Sequence, residues 1–219
     1  MKLKPLFSAV SLALVVISPL QAADDPKVKI TAEVAAVEVV HDGKKMNITR
    51  NQDENNTVKA DFAKTSRACP PFCIQPGVIA PGVETIGELE ILDYLKRMSA
   101  GDKSILVVDS RTPDWVEKGT IPGSINVPWD KLNAAKSDPF TIAETMEKEF
   151  GAQQLEGLWD FSNAKTLVLF CNGPWCGQSP TNIKTLLKFG YPANKMKWYR
   201  GGMQDWEILG LTTVVAKKP

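Results

Sequence analysis

The sequence predicts an α/β protein of three layers, in which a central parallel sheet is covered by helices on both faces. From residue 83 onward, short buried apolar runs alternate with segments that repeat apolar residues at helical spacing. This alternation is typical of parallel sheets, because a crossover between parallel strands needs a long connection, usually a helix. The preceding residues 23–66 have a different pattern and predict a small β-rich N-terminal lobe.

The composition is that of a globular protein. The 219 residues are 43% hydrophobic and 23% charged, which suits one core of ordinary size with an accessory lobe. The 26 basic residues nearly balance the 25 acidic ones. Because no excess of positive charge is present, we expect no nucleic-acid partner.

Residues 1–22 predict a signal peptide. A basic start precedes an apolar stretch over residues 6–20, and the small residues Ala22 and Ala23 offer a cleavage site. The alternative is a retained membrane anchor, but the apolar stretch is short for a bilayer span and Pro19 interrupts it. We therefore expect a periplasmic protein with no membrane association after cleavage, and an oxidising compartment for its four cysteines.

The N-terminal lobe contains a predicted hairpin within residues 27–50. Apolar residues alternate on both sides of Asp42-Gly43, a pair typical of a two-residue hairpin turn. The lobe is expected to pack as a separate β element. It also carries His41, the single histidine of the chain. Because His41 lies beside a hairpin turn in this accessory lobe, we do not expect it to pair with a cysteine nucleophile of the α/β domain.

A Cys/Pro-rich linker over residues 67–82 separates the lobe from the α/β domain at 83–219. In a polyproline conformation, Pro70-Pro71 would hold the Cα atoms of Cys69 and Cys73 about 12 Å apart, too far for a disulfide. A local disulfide therefore needs a sharp turn. The alternatives are a disulfide to another part of the chain, a redox-active pair that serves Cys171, or a metal site. For a metal site the sequence offers only one histidine and no clear second pair of ligands.

The α/β domain is predicted element by element. Thr85 with Glu88 suggests a capping box for a first helix that Gly101 ends, and Asp138-Pro139 opens a second helix. A third helix runs from Ser179-Pro180 to Gly190, and a short fourth one surrounds Trp206. The predicted parallel strands lie near residues 105–109, 124–127, 166–170 and 196–199.

Cys171 directly follows the predicted strand 166–170 and begins a Gly/Pro loop. Reactive groups in open α/β sheets gather at the carboxyl ends of strands. Loop N–H groups and the N-terminus of the helix near Ser179 would lower the pKa of the Cys171 thiol and favour its thiolate. The alternative is a buried or disulfide-bonded cysteine without a chemical role.

Three segments resemble a known family. VVDSRTPDWVEKGTIPGSINVPW (107–129) resembles the Asp-x-Arg…Gly-His-Ile-Pro-Gly-Ala-x-Asn-x-Pro signature of rhodanese domains. LVLFC (167–171) and WYRGGMQDWEILGL (198–211) resemble the catalytic strand and the closing Gly-Gly…Trp motif of that family. The resemblance covers roughly residues 83–215, with the three motifs in the family's order.

The resemblance implies a sulfurtransferase in which Cys171 carries a persulfide from a small sulfur-containing anion, such as thiosulfate, to a thiol or small-molecule acceptor. It implies structural support from Asp109 and Arg111, and core or turn positions for Trp206 and Gly201-Gly202. Sulfane sulfur transfer needs a thiolate and fixed hydrogen-bond donors, so neither metal nor cofactor is expected. The residues expected in the active-site loop are Asn172, Gly173, Pro174, Trp175, Gly177, Gln178 and Ser179.

The chain departs from the family pattern in three places. Thr120 stands where many rhodaneses have histidine, and the active-site loop is longer and carries no arginine or lysine. The missing arginine speaks against phosphatase-like or arsenate-reductase-like chemistry. The third departure is Cys176, because Gly173 and Pro174 can turn the loop so that Cys176 approaches Cys171.

Cys176 leaves more than one role and more than one function open. It could be a resolving thiol for the persulfide, a redox partner of Cys171, or a residue that merely packs beside Trp175. The leading hypothesis is a sulfurtransferase. The alternatives are a periplasmic thiol–disulfide oxidoreductase that uses Cys171 and Cys176, with a redox protein as partner, and a non-catalytic rhodanese-like binding module.

Overall fold

The structure, a computed structural model, describes residues 26–215, so the predicted signal peptide lies outside the described residues. Within this range, no helix combines the length and the apolar character needed to span a membrane. The elements in chain order are β1 (Ala36–His41), β2 (Lys44–Thr49), α1 (Ala60–Ala63), β3 (Glu84–Ile86), α2 (Glu88–Ser99), β4 (Ile105–Asp109), α3 (Pro113–Val116), β5 (Ile125–Asn126), α4 (Pro139–Lys148), β6 (Gln153–Leu155), β7 (Leu158–Asp160), β8 (Thr166–Phe170), α5 (Gln178–Lys188), β9 (Met196–Tyr199) and α6 (Gly202–Ile208).

The central sheet has five strands in the order β3-β9-β8-β4-β5, and every pair is parallel. The predicted parallel sheet is therefore confirmed. Strand β8 lies in the middle, with Phe170 paired to Asp109 on one side and to Tyr199 on the other. The residues that follow these three positions meet at one carboxyl edge of the sheet.

Apolar side chains cover both faces of the sheet. Successive residues of a strand point to opposite faces, and in β8 Leu167 and Leu169 join one buried cluster while Val168 and Phe170 join another. The first cluster includes residues of α4 and α5, and the second includes residues of α2 and α6. The domain consequently has the three layers that the sequence predicts.

The N-terminal hairpin forms a two-stranded antiparallel sheet of its own, with its turn at Asp42-Gly43 as predicted. Its core, however, is shared with the α/β domain. Val39 and Ile48 are fully buried in the same cluster as residues of α2. The Gly123 N–H also donates a hydrogen bond of 3.1 Å to Nδ1 of His41, which ties the hairpin to the domain.

The predicted start of the first helix is wrong. Thr85 does not cap α2 but lies in β3, where it pairs with Trp198 at the edge of the sheet. The helix begins at Glu88, and its N-cap is Gly87, whose N–H donates to the Glu90 carboxylate at 3.0 Å. A three-residue edge strand leaves too short an apolar pattern to be distinguished from a helix start.

Candidate active site

Cys171 lies directly after β8, at the carboxyl edge of the central strand. Helix α6 holds it there, because the Met203 N–H donates to the Cys171 carbonyl at 3.0 Å and the Gln204 N–H donates to the Asn172 carbonyl at 2.9 Å. Gly202 has a positive φ of 56°, and a Cβ at this position would overlap the Cys171 carbonyl oxygen. Gly202 therefore permits the close approach of α6 to the active-site loop.

The sulfur of Cys171 is placed among hydrogen-bond donors. The Ser179 hydroxyl donates to Sγ of Cys171 at 3.1 Å and accepts a hydrogen bond of 3.2 Å from the indole N–H of Trp198. Burial opposes ionisation of Cys171, but the Cys176 thiol, the Ser179 hydroxyl and N–H, and the Gly173 N–H together lower the pKa of Cys171 to about 7. A large thiolate fraction is therefore present at neutral pH.

Cys176 returns to the neighbourhood of Cys171 because the loop turns back on itself. The Cys176 N–H donates to the Gly173 carbonyl at 2.9 Å, and the Cys171 thiol, when protonated, donates to the Cys176 carbonyl at 3.4 Å. Both cysteines are free thiols. Burial and the neighbouring Cys171 raise the pKa of Cys176, so Cys171 is the cysteine of the pair that ionises near neutral pH.

Cys69 and Cys73 form a disulfide with a Cα separation of 4.6 Å. The segment around it, residues 67–76, packs against the active-site loop and is called here the disulfide segment. The Gln75 N–H donates to the Pro174 carbonyl at 2.8 Å, the ring of Phe72 meets that of Trp175 edge to face at 5.6 Å, and the Arg67 guanidinium lies 3.9 Å from the Trp175 ring centroid.

A cleft of about 360 Å³ opens between the disulfide segment and the active-site loop. Four of its ten lining residues are aromatic, and Cys176 is among the ten whereas Cys171 is not. No charged side chain of residues 26–215 lines it. The lining residues are Pro71, Phe72, Trp115, Trp129, Asn172, Trp175, Cys176, Gly177, Gln178 and Thr181.

The sequence did not identify five of these wall residues, which are Pro71, Phe72, Trp115, Trp129 and Thr181. Trp115 and Trp129 come from α3 and from the segment after β5, and each has a lysine ammonium 4.6 Å from its ring centroid. Both tryptophans lie in the segment 107–129 that carries the first family motif, which is the one sequence signal that could have found them. Nothing in the local pattern of Pro71, Phe72 and Thr181 indicates that they meet.

Asp109 and Arg111 form a buried ion pair with 2.6 Å between Oδ2 and Nη2. Arg111 also donates to the carbonyl oxygens of Gly119 and Trp115, at 2.7 and 3.3 Å, and the Thr120 hydroxyl donates to Asp109 Oδ2 at 2.6 Å. The pair thus connects β4 to the segment that carries Trp115. These hydrogen bonds join the pair to Trp115, Gly119 and Thr120 and not to Sγ of Cys171.

The remaining predicted loop residues have separate positions. Asn172 and Gly177 line the cleft, Gly173 and Pro174 form the turn that returns Cys176, and Gln178 accepts a hydrogen bond of 3.5 Å from the Cys176 thiol. His41 lies in the hairpin and contacts Gly123, so it has no place beside the cysteines. Within residues 26–215, no group of three His, Cys, Asp or Glu side chains is arranged to hold a metal ion.

Comparison with known families agrees with this arrangement. The family model of the rhodanese-like domain matches residues 92–209, which is more than half of the chain. The chain belongs to the rhodanese-like domain family. This is a family of the sulfurtransferase type, and the matched range of the rhodanese-like domain runs from α2 to the end of α6, including Cys171 and Cys176.

The curated and solved relatives of this rhodanese-like domain are distant. The chain is similar to the HTH-type transcriptional regulator Rv0324 of Mycobacterium tuberculosis, with 25% identity over 119 residues that cover 54% of this chain and 41% of that protein. It is similar to the thiosulfate sulfurtransferase from Pseudomonas aeruginosa, with 20% identity, coverage of 62% and 21% of the two chains, and a TM-score of 0.40. For the human single-domain sulfurtransferase TSTD1 the identity is 18%, the coverage 57% and 95%, and the TM-score 0.36.

Proposed function

We propose that this protein is a periplasmic sulfurtransferase that moves sulfane sulfur from a donor such as thiosulfate to a thiophilic acceptor through a persulfide on Cys171. The observation that carries the proposal is the placement of Cys171 at the carboxyl edge of the central strand, with a lowered pKa and hydrogen-bond donors around its sulfur. The predicted signal peptide and the Cys69–Cys73 disulfide support the periplasmic location.

The chemistry follows from these contacts. The Cys171 thiolate attacks the outer sulfur of thiosulfate, the sulfur–sulfur bond of the donor breaks, and sulfite leaves with the electron pair. The persulfide that remains is anionic, and the donors that favour the thiolate, the Ser179 hydroxyl and the N–H groups of Gly173 and Ser179, can stabilise it in turn. No electron acceptor is consumed in this step.

The test is thiosulfate-dependent formation of thiocyanate from cyanide, together with the mass of the protein before and after thiosulfate. We expect the gain of one sulfur atom on the peptide that contains Cys171. Cys171→Ser should abolish both signals and leave the circular dichroism spectrum unchanged, because serine has a similar size but its hydroxyl is rarely ionised and cannot form a persulfide. Thiocyanate formation by this variant at the wild-type rate would remove Cys171 from the mechanism.

A second candidate function is thiol–disulfide exchange. It is favoured by the interaction of the Cys171 and Cys176 thiols and by the wall that the disulfide segment forms on the same cleft. Catalysed reduction of insulin by the dithiol form, without thiocyanate formation, would favour this candidate over the sulfurtransferase. Absence of both activities would leave a rhodanese-like binding module.

A further inference from the structure

The two cysteines of the active-site loop differ in what they face. Cys171 is 2% exposed and does not line the cleft, whereas Cys176, which is 5% exposed, is one of its lining residues. An acceptor seated among Phe72, Trp129 and Trp175 therefore contacts Cys176, which lines the cleft, and not Cys171. A persulfide confined to Cys171 would be poorly placed for such an acceptor.

We propose that Cys176 is a second sulfur carrier, which takes the sulfane sulfur from the Cys171 persulfide and presents it in the cleft to an aromatic or otherwise apolar thiol acceptor. This inference rests on the proposed function, since it needs the persulfide on Cys171. It assigns the acceptor class from the described residues that line the cleft, of which four are aromatic and none is charged. The cations Arg67, Lys118 and Lys136 lie over the tryptophan rings but are not among the lining residues. Aromatic walls bind apolar bodies through buried area and ring contacts.

The transfer balances without an oxidant or a reductant. The proton of the Cys176 thiol moves to the outer sulfur of the Cys171 persulfide, and the Cys176 thiolate then attacks that outer sulfur. A bond forms between Sγ of Cys176 and the outer sulfur, the bond from that sulfur to Sγ of Cys171 breaks, and its electron pair stays on Cys171 as the thiolate. The acceptor thiolate repeats the attack on the Cys176 persulfide, and Cys176 recovers a proton from water.

The surroundings of the two sulfurs favour this direction. In thiol–disulfide chemistry the sulfur with the lower pKa is the better leaving group, and the donors around Cys171 lower its pKa whereas the pKa of Cys176 is raised. Attack on Sγ of Cys171 instead would expel hydrosulfide and leave a Cys171–Cys176 disulfide. That disulfide would need a reductant for each turnover, and the outer-sulfur route needs none.

The experiment follows one sulfur atom through the full-length protein. The protein receives one equivalent of thiosulfate and then benzyl mercaptan as the acceptor, and samples are alkylated at intervals. Chymotryptic cleavage after Trp175 separates the peptides of Cys171 and Cys176 for mass spectrometry. We expect the added sulfur first on Cys171, then on Cys176, and finally on the benzyl product.

Two variants separate a carrier from a structural residue. Cys176→Ser keeps a hydroxyl that can donate to Cys171, whereas Cys176→Ala does not, and neither can hold a persulfide. If Cys176 carries the sulfur, both variants should lower the ratio of benzyl mercaptan turnover to cyanide turnover at least tenfold. A structural role predicts instead that serine restores the ratio lost with alanine.

The outcomes are distinct. Added sulfur on Cys171 that passes to benzyl mercaptan without appearing on Cys176, or a wild-type ratio in Cys176→Ser, would overturn the carrier role and keep the sulfurtransferase. Accumulation of a Cys171–Cys176 disulfide with one equivalent of sulfide would also overturn it, in favour of a resolving thiol. Failure of thiosulfate to add sulfur to Cys171 in the wild type would overturn the proposed function, and the carrier role with it.

Discussion

Ser179→Ala should raise the pKa of Cys171, because it removes a hydroxyl that donates to Sγ of Cys171 at 3.1 Å. A hydrogen bond to a charged group contributes about 1.5–3 kcal/mol, and about 1.4 kcal/mol corresponds to a tenfold change in an acid dissociation constant. At the lower end of this range the pKa of Cys171 would rise from about 7 to about 8. At pH 7 the thiolate fraction would then fall from about one half to about one tenth.

The reaction rate at one pH is a poor measure of this change. A less acidic thiol forms a more nucleophilic thiolate, by about threefold for a tenfold weaker acid, which offsets part of the lost thiolate. The sharper measure is the pH profile of alkylation of Cys171 by iodoacetamide, read from the mass of its peptide. Because the thiolate is the reactive form, the rate rises with pH, with a midpoint at about 7 in the wild type and about 8 in the variant.

The matched control is Thr185→Val, which removes a hydroxyl from a buried residue of the same helix that has no part in the pKa of Cys171. It should keep the wild-type midpoint. Ser179→Ala also leaves the indole N–H of Trp198 without its acceptor, so its melting temperature should fall while the protein remains folded at 25 °C. An unchanged midpoint in Ser179→Ala would refute the assignment of the Ser179 hydroxyl as a donor to the thiolate.

Two further predictions concern the support of the site. Gly202→Ala should slow persulfide formation at least tenfold and lower the melting temperature, because its Cβ would overlap the Cys171 carbonyl oxygen. Gly157 also has a positive φ, but a Cβ there would meet no described residue within 4 Å, so Gly157→Ala should lose only about 1 kcal/mol of stability to backbone strain. Equal effects in the two glycine variants would contradict this account. Thr120→Val should lower the free energy of unfolding in urea by about 1.5–3 kcal/mol, because the buried Asp109 carboxylate loses a hydrogen bond; a loss below about 0.5 kcal/mol would mean that Arg111 alone satisfies that carboxylate.

Several elements could be predicted from local pattern. The strands 105–109 and 166–170 are short and apolar except for Asp109 at the end of the first and Thr166 at the start of the second, and the structure has them at those bounds. Asp138 was expected to open a helix, and it accepts a hydrogen bond from the Thr141 N–H as the N-cap of α4. Each of these features depends on neighbours in the chain, which the sequence contains in full.

Other elements could not be predicted because their stability comes from distant partners. Strand β3 has three residues, and its pairing with β9 decides that Thr85 extends a sheet rather than caps a helix. The hairpin was expected as a separate element, yet Val39 and Ile48 are buried against α2. An alternating pattern shows which side of a strand is apolar, but it does not show what covers that side.

The sequence by itself determined that Cys171 stands at the end of a buried strand and before a helix, because chain connectivity and apolar periodicity are local properties. It also determined that Gly173 and Pro174 could return the loop toward Cys171. Only the tertiary structure decided which groups surround the two sulfurs. The Ser179 hydroxyl reaches Cys171 from α5, and the aromatic side chains beside Cys176 converge from segments that are distant in the sequence. The difference in the pKa values of the two thiols depends on those contacts across space, and no pattern of neighbouring residues encodes them.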